Sequence, residues 1–427
     1  MFDPVEPILI AAVEGGGTSF VVAVAEIEIV SSNNNKNTVP AVPRILYRQE
    51  IDSSHDDPKR TLEECVSFFR KHNNNGNGYR SLGIAMFGPF GVDPNVTNTY
   101  GKILSTTPKK SWRDIDVLSP LVEACCQRNN SNNNNRLLVK IDTDVNAPAV
   151  AEYISEKEKE KRPCNNSNMR KKKISSLAYV TVGTGVGVGL VIHGKPVHGR
   201  MHPEAGHVPI QPLDGDTFTG YSWGTDSKSP FQGKHTVESM TSSVALTERI
   251  EQITKQTVSS NRDWLQDVQD DDPVWDHASN ALANLCATLV LVTSVEKIVL
   301  GGGIMKRNGL IEKVRRRTKI LLNGYLGELS EEDMSEWITL SQYGSDVGLM
   351  GAIVLAQQAI TEQQQQKDRN GGEDDKERDV ADQEVIKVQK RTAYNTGIGH
   401  GVLLGLSLAY AGIILYARSG KSSSHRR

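Results

Sequence analysis

The chain has 427 residues, enough for two domains and a tail, and its 37% of hydrophobic residues is a low value for an enzyme of this size. The deficit is concentrated in a few polar inserts, and the rest has the composition of ordinary globular sequence. A net charge of -2 gives no general affinity for nucleic acid or for a strongly acidic partner.

The cysteines and the N-terminus indicate whether the protein is secreted. The cysteines are scattered, odd in number and without a CxxC pair: Cys65, Cys125, Cys126, Cys164 and Cys286. This pattern indicates reduced thiols and argues against a disulfide-stapled secreted domain. The first seven residues contain neither a basic start nor a long apolar run, so we expect no signal peptide.

The pattern from Ile8 to about Ile360 predicts mixed α/β structure. A strand at Ile8–Glu14 runs into a glycine turn, and alternating residues at Phe20–Ile29 predict its hairpin partner. Further strands are predicted at 81–87, 137–143, 177–182, 187–193 and 297–300, and helices at 58–71, 147–158 and 280–295. The strand–glycine turn–strand unit at 177–193 resembles the first one, which predicts two related lobes that face a cleft.

Four low-complexity stretches interrupt this pattern. They cover 31–37, 73–78, 129–135 and 155–173; the first three are rich in Asn, and the last is rich in Lys, Glu and Asn. Such compositions bury too little apolar surface to offset the entropy of ordering them. We therefore predict that all four are solvated expansions of loops.

The C-terminal part has a different composition. Residues 361–392 are rich in Gln and then in charge, which predicts a disordered linker. Residues 393–417 contain no Asp, Glu, Lys or Arg, and a basic tail follows at 418–427. We predict a transmembrane helix at 393–417, which would anchor a cytosol-facing protein in an organelle membrane. The alternative is an amphipathic or buried terminal helix, and then the protein would be cytoplasmic.

Three glycine-rich turns follow predicted strands. They are Gly15-Gly16-Gly17-Thr18, Gly183-Thr184-Gly185 and Gly301-Gly302-Gly303. Such turns expose backbone N–H groups that can approach phosphate oxygens closely. A lone glycine cluster is more often a tight hairpin or bulge, but three of them across both predicted lobes favour phosphate binding. None fits a P-loop, and none fits a dinucleotide fingerprint well.

Eight stretches of the chain, in this order, resemble the ROK family of sugar kinases, and within it the bacterial-type fructokinases. They are EGGGTSF (14–20), FGPFGVD (87–93), TYGKILSTTPKKSW (99–112), TDVNAPAVAE (143–152), TVGTGVGVGLV (181–191), HPEAGH (202–207), LGGGIM (300–305) and GSDVGLMGA (344–352). The run TTPKKSW is typical of the fructokinase branch. The resemblance covers about residues 8–360. It implies the two-lobed, actin-like ATPase (ribonuclease H-like) α/β fold, with lobes at 8–148 and 149–360.

The resemblance also implies an activity, the ATP-dependent phosphorylation of a hexose, with fructose 6-phosphate as the expected product and Mg²⁺ bound together with ATP. Asp144 is the implied general base, although an Asp at the end of a strand is also a common helix N-cap. The implied sugar ligands are Asn146, Glu204, His207, Glu238, Gly88 and Pro89. The implied ATP-binding residues are Gly15, Gly16, Gly17, Thr18, Gly183, Thr184, Gly185, Gly301, Gly302 and Gly303.

One departure from the family concerns phosphate charge. Ser19 stands where the family usually has Lys, and Ser cannot neutralise phosphate. Lys109 is a candidate to replace that cation. The departure motivates one alternative, a sugar-sensing or scaffold protein without turnover. A kinase for another hexose, such as glucose, mannose or an amino sugar, is also left open. No basic patch is evident, so no nucleic-acid partner is expected, and a homodimer is left open.

A second departure concerns zinc. The fructokinase branch generally carries a structural zinc site of one His followed by a Cys–His–Cys cluster. His207 matches the first ligand, but Ser229 and Gln232 stand at two of the others, and His235 lies at or next to the last. Structural zinc needs four Cys or His ligands as a rule. We therefore expect no structural zinc and name no metal ligand.

Overall fold

A computed structural model describes residues 8–27, 43–53, 56–73, 78–126, 136–161, 173–222, 229–255 and 264–369. The strands are β1 (Ile8–Gly15), β2 (Ser19–Ile27), β3 (Arg44–Asp52), β4 (Ser81–Met86), β5 (Leu138–Thr143), β6 (Ser176–Val182), β7 (Val186–Ile192), β8 (Lys195–Pro196), β9 (Ile298–Gly301) and β10 (Ile338–Leu340). The helices are α1 (Pro58–Lys71), α2 (Leu118–Cys125), α3 (Asn146–Lys161), α4 (Val237–Thr241), α5 (Ser243–Thr254), α6 (Trp264–Asp267), α7 (Val274–Thr293), α8 (Leu310–Leu322), α9 (Glu331–Trp337) and α10 (Val347–Arg369).

Two five-stranded sheets repeat one topology. The first has the order β3-β2-β1-β4-β5, and the second has the order β8-β7-β6-β9-β10. In each sheet the first three strands of the chain form an antiparallel meander, and the last two run parallel to the first. This arrangement confirms the predicted α/β class and the predicted repeat of the strand–turn–strand unit.

The first sheet is covered on both faces, which explains why β1 and β2 are almost continuously apolar. On β2, Val22 and Val24 pack into a core that includes residues of α1, whereas Val21 and Ala23 pack into a second core that includes residues of α10. Successive side chains of a strand point to opposite faces, so both sets are buried.

Two helices connect the sheets. Helix α10 packs on β1, β4 and β5 and also contacts α3, which packs on β6 and β7. Small residues allow these contacts to be close. A Cβ atom on Gly83 would lie 1.9 Å from the Ala352 carbonyl oxygen, and one on Gly351 would lie 2.6 Å from the Ala147 carbonyl carbon. Helix α10 thus lies on the first sheet, although it begins within the range predicted for the C-terminal lobe. The lobe boundary at 148 stays a proposal.

The end of α10 differs from the prediction. The linker was predicted to start at Thr361, but the helix continues to Arg369. Gln and Glu are good helix formers, which favours this extension. Two polar contacts also hold it at the first sheet, because Lys140 binds Glu362 and Arg80 binds Gln363.

Several predicted segments lie outside the described residues. They are the anchor at 393–417, the basic tail at 418–427 and the inserts at 31–37 and 129–135. Among the helices of the described ranges, none is long and apolar enough to cross a membrane. The anchor therefore stays a prediction. The four cysteines within those ranges are free thiols, as expected: Cys65, Cys125, Cys126 and Cys286.

Candidate active site

The carboxyl ends of three parallel strands align at one edge of the first sheet. Gly15 of β1 lies opposite Met86 of β4, which lies opposite Thr143 of β5. Each strand therefore continues into its loop at the same edge. The Phe87 N–H donates to the Gly15 carbonyl at 2.8 Å, and the Asp144 N–H donates to the Met86 carbonyl at 2.9 Å. Ligands of α/β sheets bind at this kind of edge, so the first glycine turn and Asp144 are placed for one site.

Asp144 has an electrostatic environment that suits proton transfer. Burial raises the pKa of its carboxyl group to about 7, and the negative charge of Glu204 adds to this effect. The positive charges of His202 and Lys109 act in the opposite direction. A carboxylate whose pKa lies near neutrality is matched to work as a general base. Asp144 and Glu204, both predicted site residues, are thus electrostatic neighbours.

His202 connects two of the predicted sugar-binding segments. Its Nε2 atom lies 3.0 Å from Oε1 of Glu204, and its side chain is only 3% exposed. It also contacts Gly88, because a Cβ atom there would lie 2.9 Å from the same Nε2. The Pro89 carbonyl accepts a hydrogen bond from the Leu104 N–H at 2.8 Å. The sequence prediction did not single out His202, although it is the first residue of the HPEAGH stretch.

Glu14 is a second carboxyl group at the first glycine turn that the prediction did not name as a site residue. Burial raises its pKa to about 8, the charges of Asp144 and Glu50 add to this effect, and Arg48 opposes it. The start of α10 lies against Glu14, since a Cβ atom on Gly348 would come within 2.6 Å of the Glu14 Cγ. Two carboxyl groups with raised pKa values therefore accompany this turn.

All three glycine turns leave room for a ligand at the backbone. A Cβ atom on Gly17, Gly183 or Gly303 would meet no atom within 4 Å. The second and third turns are neighbours, because they follow the paired parallel strands β6 and β9. The contact between these two turns requires a glycine at position 302. The φ angle of Gly302 is +91°, and a Cβ atom there would lie 2.3 Å from the Val182 carbonyl oxygen. These open backbone surfaces fit the predicted binding of phosphate groups.

Glu238 lies directly on the second glycine turn. Its Oε2 atom accepts a hydrogen bond from the Val186 N–H at 2.9 Å. Gly185 makes room for this carboxylate, because a Cβ atom there would lie 2.6 Å from Oε2. The Ser243 N–H donates to the Gly183 carbonyl at 2.7 Å and holds the other side of the turn. The structure thus brings a predicted sugar ligand to the predicted phosphate turn.

Asn146 and His207 have different surroundings. Asn146 is fully buried; its Oδ1 accepts from the Leu190 N–H at 3.3 Å and its Nδ2 donates to the Val197 carbonyl at 3.5 Å. Its amide group therefore holds β7 and the loop after β8, and a sugar contact from it stays a prediction. The His207 ring is partly exposed, and its backbone N–H donates to the Glu204 carbonyl at 3.0 Å.

Gly206, in the HPEAGH stretch, packs on the backbone of β7. A Cβ atom there would lie 1.9 Å from the Val186 carbonyl oxygen, so Gly206→Ala must displace one of the two segments. We expect it to lower the unfolding free energy by about 1–3 kcal/mol, the usual cost of overpacking. Gly199→Ala is the matched control, because a Cβ atom there meets nothing within 4 Å. Equal urea midpoints for the two variants would contradict the described contact.

The segment with the missing zinc ligands is irregular. Phe231, Gln232 and His235 have φ angles of +54°, +55° and +50°, a region that residues other than glycine seldom adopt. No group of three or more His, Cys, Asp or Glu side chains is arranged to hold a metal ion within the part of the chain that the structure describes. The predicted absence of structural zinc stays a prediction.

A buried ion pair holds the loop that precedes this segment. Arg249 of α5 donates two hydrogen bonds to Asp216, at 2.8 and 2.9 Å, and the two side chains are 2% and 3% exposed. The Phe218 N–H donates to Asp216 at 3.1 Å, and Nδ1 of His277 lies 3.0 Å from it. The loop is thereby tied to α5 and α7. Sequence reasoning did not identify this cluster, because its members are far apart along the chain.

Two similar sheets, each with glycine turns at its carboxyl edge, define a class of two-sheet α/β proteins. Within that class the chain belongs to the ROK family, which matches residues 10–359. It is 31% identical to a fructokinase of Zymomonas mobilis over 352 residues, which cover 81% of this chain and 95% of that protein. It is 28% identical to a putative fructokinase of Bacillus subtilis, with 82% and 96% of the two chains covered.

Solved structures of the family share the fold. A ROK hexokinase from Thermus thermophilus superposes with a TM-score of 0.56 at 18% identity and covers 83% of this chain and 100% of its own. A ROK glucokinase from Streptomyces griseus, solved with glucose and AMPPNP, gives a TM-score of 0.53 at 18% identity, with 82% and 99% covered. At this identity the comparison establishes the fold alone. The actin-like α/β architecture predicted from the sequence is thus confirmed.

Proposed function

We propose that the protein transfers the γ-phosphate of ATP to a hexose hydroxyl group, namely the 6-hydroxyl of fructose. The observation that carries the proposal is Asp144, a carboxyl group with a pKa of about 7 that lies at the same sheet edge as the first glycine turn and is affected by the charge of Glu204. The similarity to the fructokinase of Zymomonas mobilis supports fructose as the acceptor.

The proposed step needs little covalent chemistry from the protein. Asp144 accepts the hydroxyl proton while that oxygen forms a bond to the γ-phosphorus, and the bond from the γ-phosphorus to the bridging oxygen of ADP breaks. Backbone N–H groups at the glycine turns hold the phosphates. Mg²⁺ supplies neutralising charge when it is bound with the nucleotide. Glu14, at the end of β1, is the group beside the first turn that could hold it, since Mg²⁺ is usually held by one or two carboxylates together with phosphate oxygens; with a pKa of about 8, Glu14 would release its proton on binding the ion.

Lys109 is the cation that we propose in place of the lysine missing at Ser19. Its Nζ atom stands 4.6 Å from the centre of the Phe87 ring, and its charge lowers the pKa of Asp144. The ring of Phe20, the residue after Ser19, stacks on Trp112 at 5.2 Å in the same aromatic cluster. Lys109 therefore reaches the neighbourhood of the first turn from another segment of the chain.

A panel of hexoses tests the proposed function. Purified protein with ATP and Mg²⁺ is expected to release ADP with fructose faster than with glucose, mannose or an amino sugar, as measured by a coupled assay. Faster turnover with another hexose would reassign the acceptor and retain the kinase. Sugar binding in calorimetry without ADP release from any hexose would overturn the proposal in favour of the sensor or scaffold alternative.

A further inference from the structure

The loop between β8 and the HPEAGH stretch is tied to the segment that carries Asp144 by two contacts. Nε2 of His198 lies 2.9 Å from Oδ2 of Asp142. The Asn146 amide donates to the Val197 carbonyl at 3.5 Å. Asp142 and Asn146 lie two residues before and two residues after Asp144, so the contacts flank it on both sides.

Asp142 is fixed from two directions. Its side chain is 5% exposed, and its other oxygen, Oδ1, accepts a hydrogen bond from the Thr143 N–H at 2.7 Å. His198 lies at the surface with 34% of its side chain exposed, and its hydrogen bond to Asp142 raises the pKa of the imidazole. A charge-assisted hydrogen bond of this kind is directional and stronger than a neutral one. The carboxylate is therefore a rigid point to which the loop is bound.

The loop carries this contact directly to the predicted sugar ligands. His198 precedes His202 by four residues and Glu204 by six. Glu204 is the group whose charge raises the pKa of Asp144, and it is paired with His202. A loop released at His198 can move Glu204 relative to Asp144, and with it the sugar hydroxyl groups that both would contact.

We propose that Asp142 and His198 are a pair of positioning residues that hold the sugar-binding loop in register with Asp144. The proposal rests on the proposed kinase function. It predicts a specific kinetic defect, because the loop that His198 holds carries Glu204, a predicted sugar ligand, and none of the three glycine turns. Loss of the pair weakens the binding of the sugar and leaves the binding of ATP unchanged.

The experiment compares His198→Gln, Asp142→Asn and the double variant with wild type. Each single variant is expected to raise KM for the sugar about tenfold, the loss expected for one charge-assisted hydrogen bond, with KM for ATP unchanged. The double variant is expected to resemble the single variants, because all three lack one shared contact. His193→Gln is the control; this histidine is exposed in the turn between β7 and β8 and is not among the predicted site residues.

A second measurement separates positioning from stability. Thermal melting is recorded for each variant, and sugar affinity is measured by calorimetry without ATP. A lower melting temperature with unchanged sugar KM would overturn the proposal, since it would give the pair a purely structural role. Additive effects in the double variant would overturn it as well. If the wild-type protein binds sugar without turnover, the kinase proposal fails. The calorimetric sugar affinities of the variants then still test the positioning role of Asp142 and His198.

Discussion

Asp144→Asn is expected to lower kcat by about 10²–10⁴-fold, the usual contribution of a positioned general base. The amide cannot accept the hydroxyl proton, while its size and shape preserve the site. The measurement is the rate of ADP release at saturating sugar and ATP. Asp114→Asn is the control, because Asp114 is exposed and its left-handed backbone, with φ of +60°, suits Asn equally well. An unchanged rate for Asp144→Asn would remove the base from the proposed mechanism.

The raised pKa of Asp144 gives this prediction a pH dependence. The base works only when ionised, so kcat/KM of the wild type is expected to rise with pH up to about 7 and then to level off. Below that pH the rate falls about tenfold per unit, because the ionised fraction falls in the same proportion. The residual activity of Asp144→Asn should lack this acidic limb.

The ionised form of Asp144, which catalysis requires, lowers the stability of the folded protein. Its folded-state pKa of about 7 lies above the ordinary value of 3.8, so the folded protein binds this proton more tightly than the unfolded chain does. Ionisation therefore costs stability increasingly as pH rises from about 4 to about 7. Asp144→Asn removes that cost. We expect it to melt at a higher temperature than wild type at about pH 8 and at nearly the same temperature at about pH 4.

Arg249→Ala is expected to lower the unfolding free energy by about 3–5 kcal/mol, because it leaves the Asp216 carboxylate buried without its main partner. Burial raises the pKa of Asp216, but the hydrogen bonds from Arg249 and from the Phe218 N–H outweigh burial and make the net shift downward. Such a contribution to stability is present at neutral pH and is lost as pH falls through the folded-state pKa. Urea denaturation at neutral and acidic pH measures both effects.

Arg70→Ala is the matched control for this prediction. Arg70 lies 3.3 Å from Glu123, but the two side chains are 48% and 60% exposed. Solvent screens such a pair, so its loss is expected to cost at most about 1 kcal/mol. If Arg249→Ala and Arg70→Ala unfold at the same urea concentration, the buried pair does not stabilise the loop as described.

The sequence predicts the hairpins and the glycine turns well, because their signals are local. The apolar runs of β1 and β2 and the glycines between them are enough to place both strands and the turn that joins them. The parallel pairing of β6 with β9 and the return of α10 to the first sheet depend on contacts between distant parts of the chain. No local pattern encodes such contacts, so the lobe that α10 completes was not predictable.

The site residues also divide into those that local sequence identifies and those that depend on contacts between distant parts of the chain. Asp144, Glu204 and Glu238 stand in recognisable stretches, and the resemblance to a family identifies them. The pairs Asp142–His198 and His202–Glu204 emerge only when the fold brings side chains together. The buried state of Asn146 was also not readable, because an Asn at a helix start is compatible with either a ligand contact or a backbone contact.

The return of α10 to the first sheet has a consequence for biosynthesis. Ile10 and Ala12 of β1 share a core with Leu349 and Ile353 of α10, yet the ribosome makes the two segments far apart in time. At typical elongation rates of about 5–20 residues per second, α10 is complete roughly ten to fifty seconds after β5. During that interval one apolar face of the first sheet lacks its cover. The nascent chain thus presents a surface suited to chaperones that bind apolar strands, until α10 is released.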